Sequence, residues 1–181
     1  MRKLTFVALA CGSALMLQAP AGANPMVGGA PMYSTKNIVQ NAVNSKDHTT
    51  LVAAVKAAGL VDTLSGPGPF TVFAPTNEAF AKLPAGTVNS LLKPENKATL
   101  TKILTYHVVP GRITAQQIAM MAGKHHGTAT LKTVEGENLM FRKGGGAWWV
   151  IDAKGDKARI TIPNVMQSNG VIHVIDAVLM P

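Results

Sequence analysis

Two histidines, His107 and His173, carry the side chain that most often serves as a general acid or base near neutral pH. Both stand in runs of apolar and β-branched residues, which are typical of buried strands. A histidine in such a run is usually a core group whose ring is hydrogen-bonded to backbone or hydroxyl partners. The sequence shows no obvious Ser-His-Asp set and no G-x-S-x-G pattern. We therefore predict that the two histidines are structural and that the protein is not an enzyme.

The adjacent residues His125 and His126 are the candidate for metal binding. In an extended chain their side chains would point in opposite directions, and no cysteine or acidic residue nearby completes a ligand set. The glycine run 144–146 lacks the lysine, the hydroxyl residue and the helix start of a phosphate-binding loop. The sequence therefore predicts neither a metal nor a cofactor.

Trp148 and Trp149 form the most distinctive pair in the chain. In a strand, one indole would face the core and the other would face outward. An exposed indole beside the glycine run 144–146 could stack on the face of a sugar. The alternative is that this outer ring packs against a neighbouring hairpin, and both residues are candidates for binding.

Composition restricts the class of protein. The chain has 181 residues, 47% of them hydrophobic, and its 17 Lys and Arg exceed its 9 Asp and Glu to give a net charge of +8. This length is typical of one domain, and the apolar content excludes a disordered chain. The basic residues are scattered and do not alternate with aromatic residues, so weak attraction to anionic polymers explains the charge better than nucleic-acid binding.

The first part of the chain has the pattern of a signal peptide. Two basic residues are followed by an apolar stretch and then by small residues that end at Ala23. We predict a signal peptide over residues 1–23 and a mature chain that begins at Asn24, has no membrane span, and is periplasmic, surface-bound or secreted. Lipidation at Cys11 is the alternative, but the apolar stretch before Cys11 is short.

Along the remaining chain, most helical sequence patterns come first, and most strand-like patterns follow. Residues 24–34 are rich in glycine and proline and predict a flexible lead. Helical spacing is seen at 35–43, 49–59, 60–64, 77–83, 88–92, 94–104 and 114–121. Strand-like runs lie at 70–74, 106–109, 128–134, 138–142, 148–151, 158–162 and 171–178. This order predicts an α+β fold, with antiparallel strands after residue 127 and a central strand at 171–175, which is apolar on both faces.

Three segments resemble the sequence boxes of fasciclin domains. They are FTVFAPTNEAF at 70–80, YHVVPG at 106–111 and NGVIHVIDAVLMP at 169–181. The resemblance covers residues 35–181 and implies a wedge of two packed β-sheets with helices along one side. Within the last box, Asn169-Gly170 predicts a turn with positive φ.

The resemblance also implies a function. Fasciclin and beta-Ig-H3 domains are secreted or cell-surface modules for adhesion and matrix interaction, which bind proteins or polysaccharides without catalysing a reaction. Tyr106 and His107 match a segment that the family ties to adhesion. Asn164 and Val165 stand where animal relatives have an Asp-Ile pair linked to integrin recognition, so the carboxylate that would reach a receptor-bound cation is missing here. These four residues join the two tryptophans as candidate adhesion residues.

Two hypotheses therefore compete, and a hydrolase that would use His107 or His173 ranks third. The first is an exported adhesion or matrix module whose partners are cell-surface or matrix proteins or polysaccharides. The second is an exported soluble protein that binds a small ligand, a sugar or a metal, through Trp148, Trp149 and the histidines at 125 and 126. A single module often binds weakly, so self-association or an abundant partner would raise its avidity.

Overall fold

The computed structural model of this protein describes residues 24–181, so the predicted signal peptide and Cys11 lie outside the described residues. The α-helices are α1 (Ile38–Ala42), α2 (Thr49–Ala58), α3 (Val61–Ser65), α4 (Asn77–Ala81), α5 (Thr87–Leu91), α6 (Lys97–Tyr106) and α7 (Ala115–Lys124). Short 3-10 helices at Lys46–His48 and Pro94–Asn96 lead into α2 and α6. The strands are β1 (Met26–Val27), β2 (Ala30–Pro31), β3 (Phe70–Pro75), β4 (Val108–Pro110), β5 (Thr128–Lys132), β6 (Asn138–Gly144), β7 (Ala147–Ile151), β8 (Lys157–Gln167) and β9 (Gly170–Ile175).

Seven strands form one mixed sheet in the order β4-β3-β9-β8-β7-β6-β5. Strands β3 and β9 are parallel, and the other neighbouring pairs are antiparallel. The long strand β8 has two register shifts between Ile160 and Val165. It pairs with β9 on one side and with β7 on the other, and so joins the two parts of the sheet. These parts correspond to the two packed sheets that the family resemblance implies. The backbone N–H of Val134, just after β5, donates to the carbonyl of Val108 in β4 at 2.8 Å. This bond brings the two edges together, so the sheet nearly closes on itself.

The central strands β3 and β9 are buried on both faces and contribute to two cores. Val72 and Val174 pack with α2 and α6 in a core on the helix side. Phe73 and Ile175 pack on the other face, in a core enclosed by the curled sheet and covered by α7. The prediction of a central, doubly apolar strand at 171–175 is confirmed, because each face of β9 is covered by a separate apolar layer.

The predicted strand at 106–109 was wrong at its first two residues. Tyr106 is the last residue of α6 and His107 caps that helix, with its backbone N–H bonded to the carbonyl of Leu104. Strand β4 begins only at Val108. A short apolar run does not distinguish the buried end of a helix from a strand, so the sequence placed this boundary too early.

Residues 24–34, expected as a flexible lead, contain the β1–β2 hairpin. Val27 and Met32 are buried in the helix-side core. The carbonyl of Gly28 accepts a hydrogen bond from the backbone N–H of Lys46 at 3.2 Å. Residues 24–34 are therefore packed against the rest of the domain.

Gly170 is required for a different reason from the one the sequence predicts. Neither Asn169 nor Gly170 has a positive φ. Instead, a Cβ at position 170 would lie 2.0 Å from the carbonyl oxygen of Phe70 in the parallel strand β3. The Asn169 side chain accepts from the N–H of Ile38 at 3.0 Å and donates to the carbonyl of Leu64 at 2.8 Å, which ties α1 and α3 to the start of β9.

Candidate functional site

His107, a candidate adhesion residue, is buried at 2% exposure between α6 and the C-terminal segment. Its Nδ1 donates to the carbonyl of Ile103 at 2.8 Å, and its Nε2 accepts from the backbone N–H of Leu179 at 3.0 Å. These partners require the neutral ring protonated on Nδ1. Burial lowers the pKa of His107 to about 4, which favours the same neutral form. Both ring nitrogens are engaged within the fold, so this side chain has no free group for a partner.

Tyr106 is fully buried in the core enclosed by the sheet. Its hydroxyl accepts a hydrogen bond from the backbone N–H of Ala153 at 2.9 Å and lies 3.4 Å from the carbonyl of Asn138. Burial raises the pKa of the Tyr106 phenol, so the hydroxyl keeps its proton at neutral pH. The side chain ties the β7–β8 turn to α6 and presents no surface to a partner.

Asn164 lies at the bulge in β8 with a positive φ of 58°, a conformation that asparagine tolerates better than most residues. Its Oδ1 accepts from the backbone N–H of Ala115 at 2.8 Å, and its Nδ2 donates to Oε1 of Gln116 at 3.1 Å. Asn164 therefore supports the first turn of α7. The amide oxygen that corresponds to the carboxylate of the animal relatives is already bonded within this fold.

The neighbours of Asn164 are held by the same contacts. Its backbone N–H donates to Nδ1 of His173 at 3.3 Å, and Nε2 of that histidine donates to the carbonyl of Ile113 at 2.9 Å. The His173 ring stacks on Phe73, with centroids 5.4 Å apart, and burial lowers its pKa. Val165 is fully buried opposite Ile172. The candidate pair Asn164 and Val165 thus supports packing, and Val165 has no exposed surface.

The two tryptophans separate to opposite faces of β7, as alternation predicts. Trp148 packs against the core enclosed by the sheet. Trp149 lies on the outer face, where its Nε1 donates to the carbonyl of Gly144 at 3.1 Å. Trp149 lines an open groove of about 450 Å³ together with Arg142, Lys143, Gly144, Ile151 and Lys157. Of the six candidate residues, Trp149 is the one whose aromatic ring faces an open groove.

Sequence reasoning missed the basic neighbours of Trp149. Arg142 in β6 and Arg159 in β8 are its register partners on either side. Gly145 and Gly146 both have positive φ, at 58° and 79°, and form the two-residue turn that sets the β6–β7 register. Counting back from that turn would have placed Arg142 opposite Trp149.

The histidines proposed for a metal are exposed at the end of α7, with His126 at a positive φ of 53°. Across residues 24–181, no three His, Cys, Asp or Glu side chains are grouped as metal ligands. Within the same residues, no helix combines the length and apolarity needed to cross a bilayer.

Another buried histidine, His48, was not singled out by the sequence. Its Nδ1 lies 2.9 Å from Oγ of Ser45, and burial lowers its pKa. It adjoins a small apolar cavity of about 20 Å³ under α1 and α2. This volume is close to that of a single water position, so His48 belongs to the packing of the core.

Known proteins resemble this chain along most of its length. The fasciclin domain profile matches residues 46–181. Protein sll1483 of Synechocystis is 51% identical over 156 residues, which cover 86% of this chain and 79% of that protein. The cell surface glycolipoprotein MPB83 of Mycobacterium bovis is 35% identical over 171 residues, which cover 89% of this chain and 68% of that protein.

A solved structure shows the same fold. The FAS1 domain pair from the insect cell adhesion molecule fasciclin I matches 81% of this chain with a TM-score of 0.70 at 21% sequence identity. This chain spans 51% of that domain pair. The α+β architecture with its curled mixed sheet is therefore the FAS1 fold. Together with the profile match, this establishes that the chain belongs to the fasciclin domain family.

Proposed function

We propose that this protein is an exported, non-enzymatic binding module that attaches to macromolecules at the cell surface or outside the cell. The observation that carries the proposal is that the two histidines of the motif segments are bonded to the backbone. His107 and His173 each use both ring nitrogens in this way. Such groups stabilise the fold, which leaves recognition to the outer faces of the domain.

The buried acid Asp152 follows the same pattern. Its Oδ1 accepts from the backbone N–H groups of Lys154 and Asp156 at 3.0 and 2.9 Å, and its Oδ2 accepts from that of Met180 at 3.0 Å. Three backbone donors hold this carboxylate in place as a structural group. Asp152 therefore fixes the β7–β8 turn against the C-terminal segment and is not placed as an acid or base.

The relatives support a role outside the cytoplasm. One is named a cell surface glycolipoprotein, and the solved domain pair comes from a cell adhesion molecule. The basic and apolar pattern at the start of the chain is that of an export signal. We propose residues 1–23 as this signal, with Asn24 as the first residue of the mature protein.

A soluble small-ligand protein is the second candidate, and the Trp149 groove is what favours it. This groove is wide open, so a free monosaccharide would be contacted on one side only. Binding sites for small molecules usually bury most of the ligand surface. The apolar space lined by α2 and β3 holds only about 40 Å³. A macromolecule that lies along the face fits this geometry better.

The first experiment locates the protein. Cells that make the intact chain are fractionated, and the N-terminus of the protein in each fraction is determined by mass spectrometry. We expect the protein outside the cytoplasm with Asn24 as its first residue, whereas a lipid-bearing N-terminus at Cys11 would indicate membrane anchoring instead. Uncleaved protein confined to the cytoplasm would contradict the proposal.

The second experiment measures attachment. Beads coated with the protein and beads coated with serum albumin are compared for retention on the producing cells and on their extracted matrix under flow. We expect selective retention of the protein-coated beads. Equal retention of both kinds of bead would contradict an adhesion role.

A further inference from the structure

The outer face of strands β5 to β8 carries two aligned rows of side chains. In the first row, Thr128 pairs with Arg142, Arg142 with Trp149, and Trp149 with Arg159. The second row contains Thr130, Met140, Ile151 and Lys157. We call these eight residues the basic tryptophan face. Since neighbouring strands lie about 4.8 Å apart, the two arginine backbones are about 10 Å apart, with the Trp149 backbone between them.

The basic tryptophan face carries charge of one sign. Its rows contain three cationic side chains and no carboxylate. The ion pairs among the described residues join Lys93 to Glu95, and Lys102 to Glu135 and Glu137, and involve no residue of this face. At its rim, Oδ1 of Asp176 accepts from the backbone N–H of Arg159. Among the residues that the structure describes, no carboxylate lies within ion-pair distance of these cations, which therefore attract an anionic ligand.

Trp149 gives this face its aromatic ring. Its indole N–H is bonded to Gly144, so the ring needs no further hydrogen-bond donor or acceptor from a ligand. A Cβ at Gly144 would lie 3.6 Å from Cδ1 of the indole, so the turn passes close to the ring. The ring is thereby fixed at the side of the groove. A flat indole on a strand flanked by two arginine positions suits a ligand that alternates apolar surfaces with anionic groups.

We propose that the basic tryptophan face binds an anionic polysaccharide. A sugar ring packs against Trp149, and the carboxylates or sulfates of the neighbouring sugars pair with Arg142 and Arg159. Guanidinium groups are suited to such groups because they bind two oxygens in parallel. This inference rests on the proposed function and names the chemical class of its partner.

The geometry disfavours two other anionic polymers. Proteins that bind single-stranded nucleic acids stack successive bases on several aromatic side chains, and this face has one. An acidic peptide would use the arginines but has no regular apolar ring for the indole. Single-stranded DNA and polyglutamate therefore serve as test ligands that we expect to bind poorly.

The test is a titration of the intact chain with alginate, a polymer of sugar carboxylates, followed by tryptophan fluorescence and by calorimetry. Dextran sulfate tests the sulfated class, and neutral dextran tests the sugar without charge. We expect binding of alginate, dextran sulfate or both, weakening as salt is added because the contacts are screened charges. Dextran should give no response, and polyglutamate and DNA should bind at least about tenfold more weakly.

The decisive variants remove either the charge or the ring. We expect R142Q/R159Q and W149A each to lower affinity about tenfold or more, while W149F keeps part of it. The matched control is K56Q/K97Q, which removes the same charge from exposed positions in α2 and α6 and should change affinity less than about twofold. Circular dichroism confirms folding, and K157Q provides a milder variant of the same face.

Three results would overturn this inference. They are absence of binding to both anionic polysaccharides, unchanged affinity in folded R142Q/R159Q, and DNA or polyglutamate binding as tightly as the polysaccharides. If these results occur while protein-coated beads still adhere to cells, the proposed function stands and only this face is wrongly assigned. If the beads also fail to adhere, the proposed function fails as well.

Discussion

His107 joins α6 to the C-terminal segment, because its Nε2 accepts the backbone N–H of Leu179 at 3.0 Å. The same ring donates from Nδ1 to Ile103 within α6. We predict that His107→Gln lowers the free energy of unfolding by about 1–3 kcal/mol, since buried polar backbone groups lose their partners. Urea denaturation at pH 7 measures this loss. The control His125→Gln, at an exposed position, should change stability by less than about 0.5 kcal/mol.

The buried histidines predict that acid weakens the fold. The pKa of His107 is about 4 in the folded protein, against 6.5 for the ordinary group, because burial disfavours the charged ring. The unfolded chain therefore binds more protons between these values, and stability falls as the pH drops from 6.5 towards 4. Burial lowers the pKa of His48 and His173 as well, so they contribute in the same direction.

The contribution of His107 to this loss is at most about 3 kcal/mol, from its pKa difference alone. Urea denaturation between pH 7.5 and 4 measures this contribution. His107→Gln should make the free energy of unfolding depend less steeply on pH. Two results would contradict a neutral His107 ring in the folded protein. They are a free energy of unfolding that does not change with pH across this range, and the same pH dependence in the variant as in the wild type.

Asn164 is predicted to stabilise the fold through its hydrogen bonds to the start of α7. Asn164→Ala removes two hydrogen bonds to the first turn of α7 and places a less tolerant residue at positive φ, so we expect a loss of about 1–3 kcal/mol. Asn164→Gly keeps the backbone conformation and should lose less. Asn164→Asp keeps the acceptor and adds a favourable charge at a helix N-terminus, so its stability should stay close to wild type. Thermal unfolding of the three variants gives the order, and Asn164→Asp as the least stable would contradict the assignment.

Gly170 is predicted to be indispensable because β3 passes so close to it. Gly170→Ala would place a methyl group 2.0 Å from the carbonyl oxygen of Phe70 and should cost more than about 2 kcal/mol or prevent folding. Gly123→Ala is the matched control, since that position in α7 has open space and no positive φ. A helical Gly-to-Ala change there should stabilise by about 0.5–1 kcal/mol. Equal effects of the two changes on the urea midpoint would refute the close-approach argument.

The sequence predicted best what depends on local chemistry. The helical spacing at 77–83 and 114–121 corresponds to α4 and α7, and the run 171–175 is central because it is apolar on both faces. These features can be predicted from a few neighbouring residues. The predicted strand at residues 106 and 107 was wrong because its pattern is shared by helices and strands.

The site was less predictable because it depends on long-range register. The parallel pairing of β3 with β9 joins segments about a hundred residues apart, and no local signal specifies it. Arg159 meets Trp149 only because the β7–β8 turn sets that register. The motif residues Tyr106 and His107 attracted attention through the family resemblance, yet the structure places both in the interior.

If recognition occurs on the basic tryptophan face and the motif histidines only stabilise the fold, variants of the two sites should differ in binding. The most direct measurement compares the alginate affinity of folded R142Q/R159Q with that of folded His107→Gln. We expect about a tenfold or greater loss for the arginine variant and less than about a twofold change for the histidine variant. Loss of binding in folded His107→Gln, together with wild-type affinity in R142Q/R159Q, would refute recognition on the basic tryptophan face.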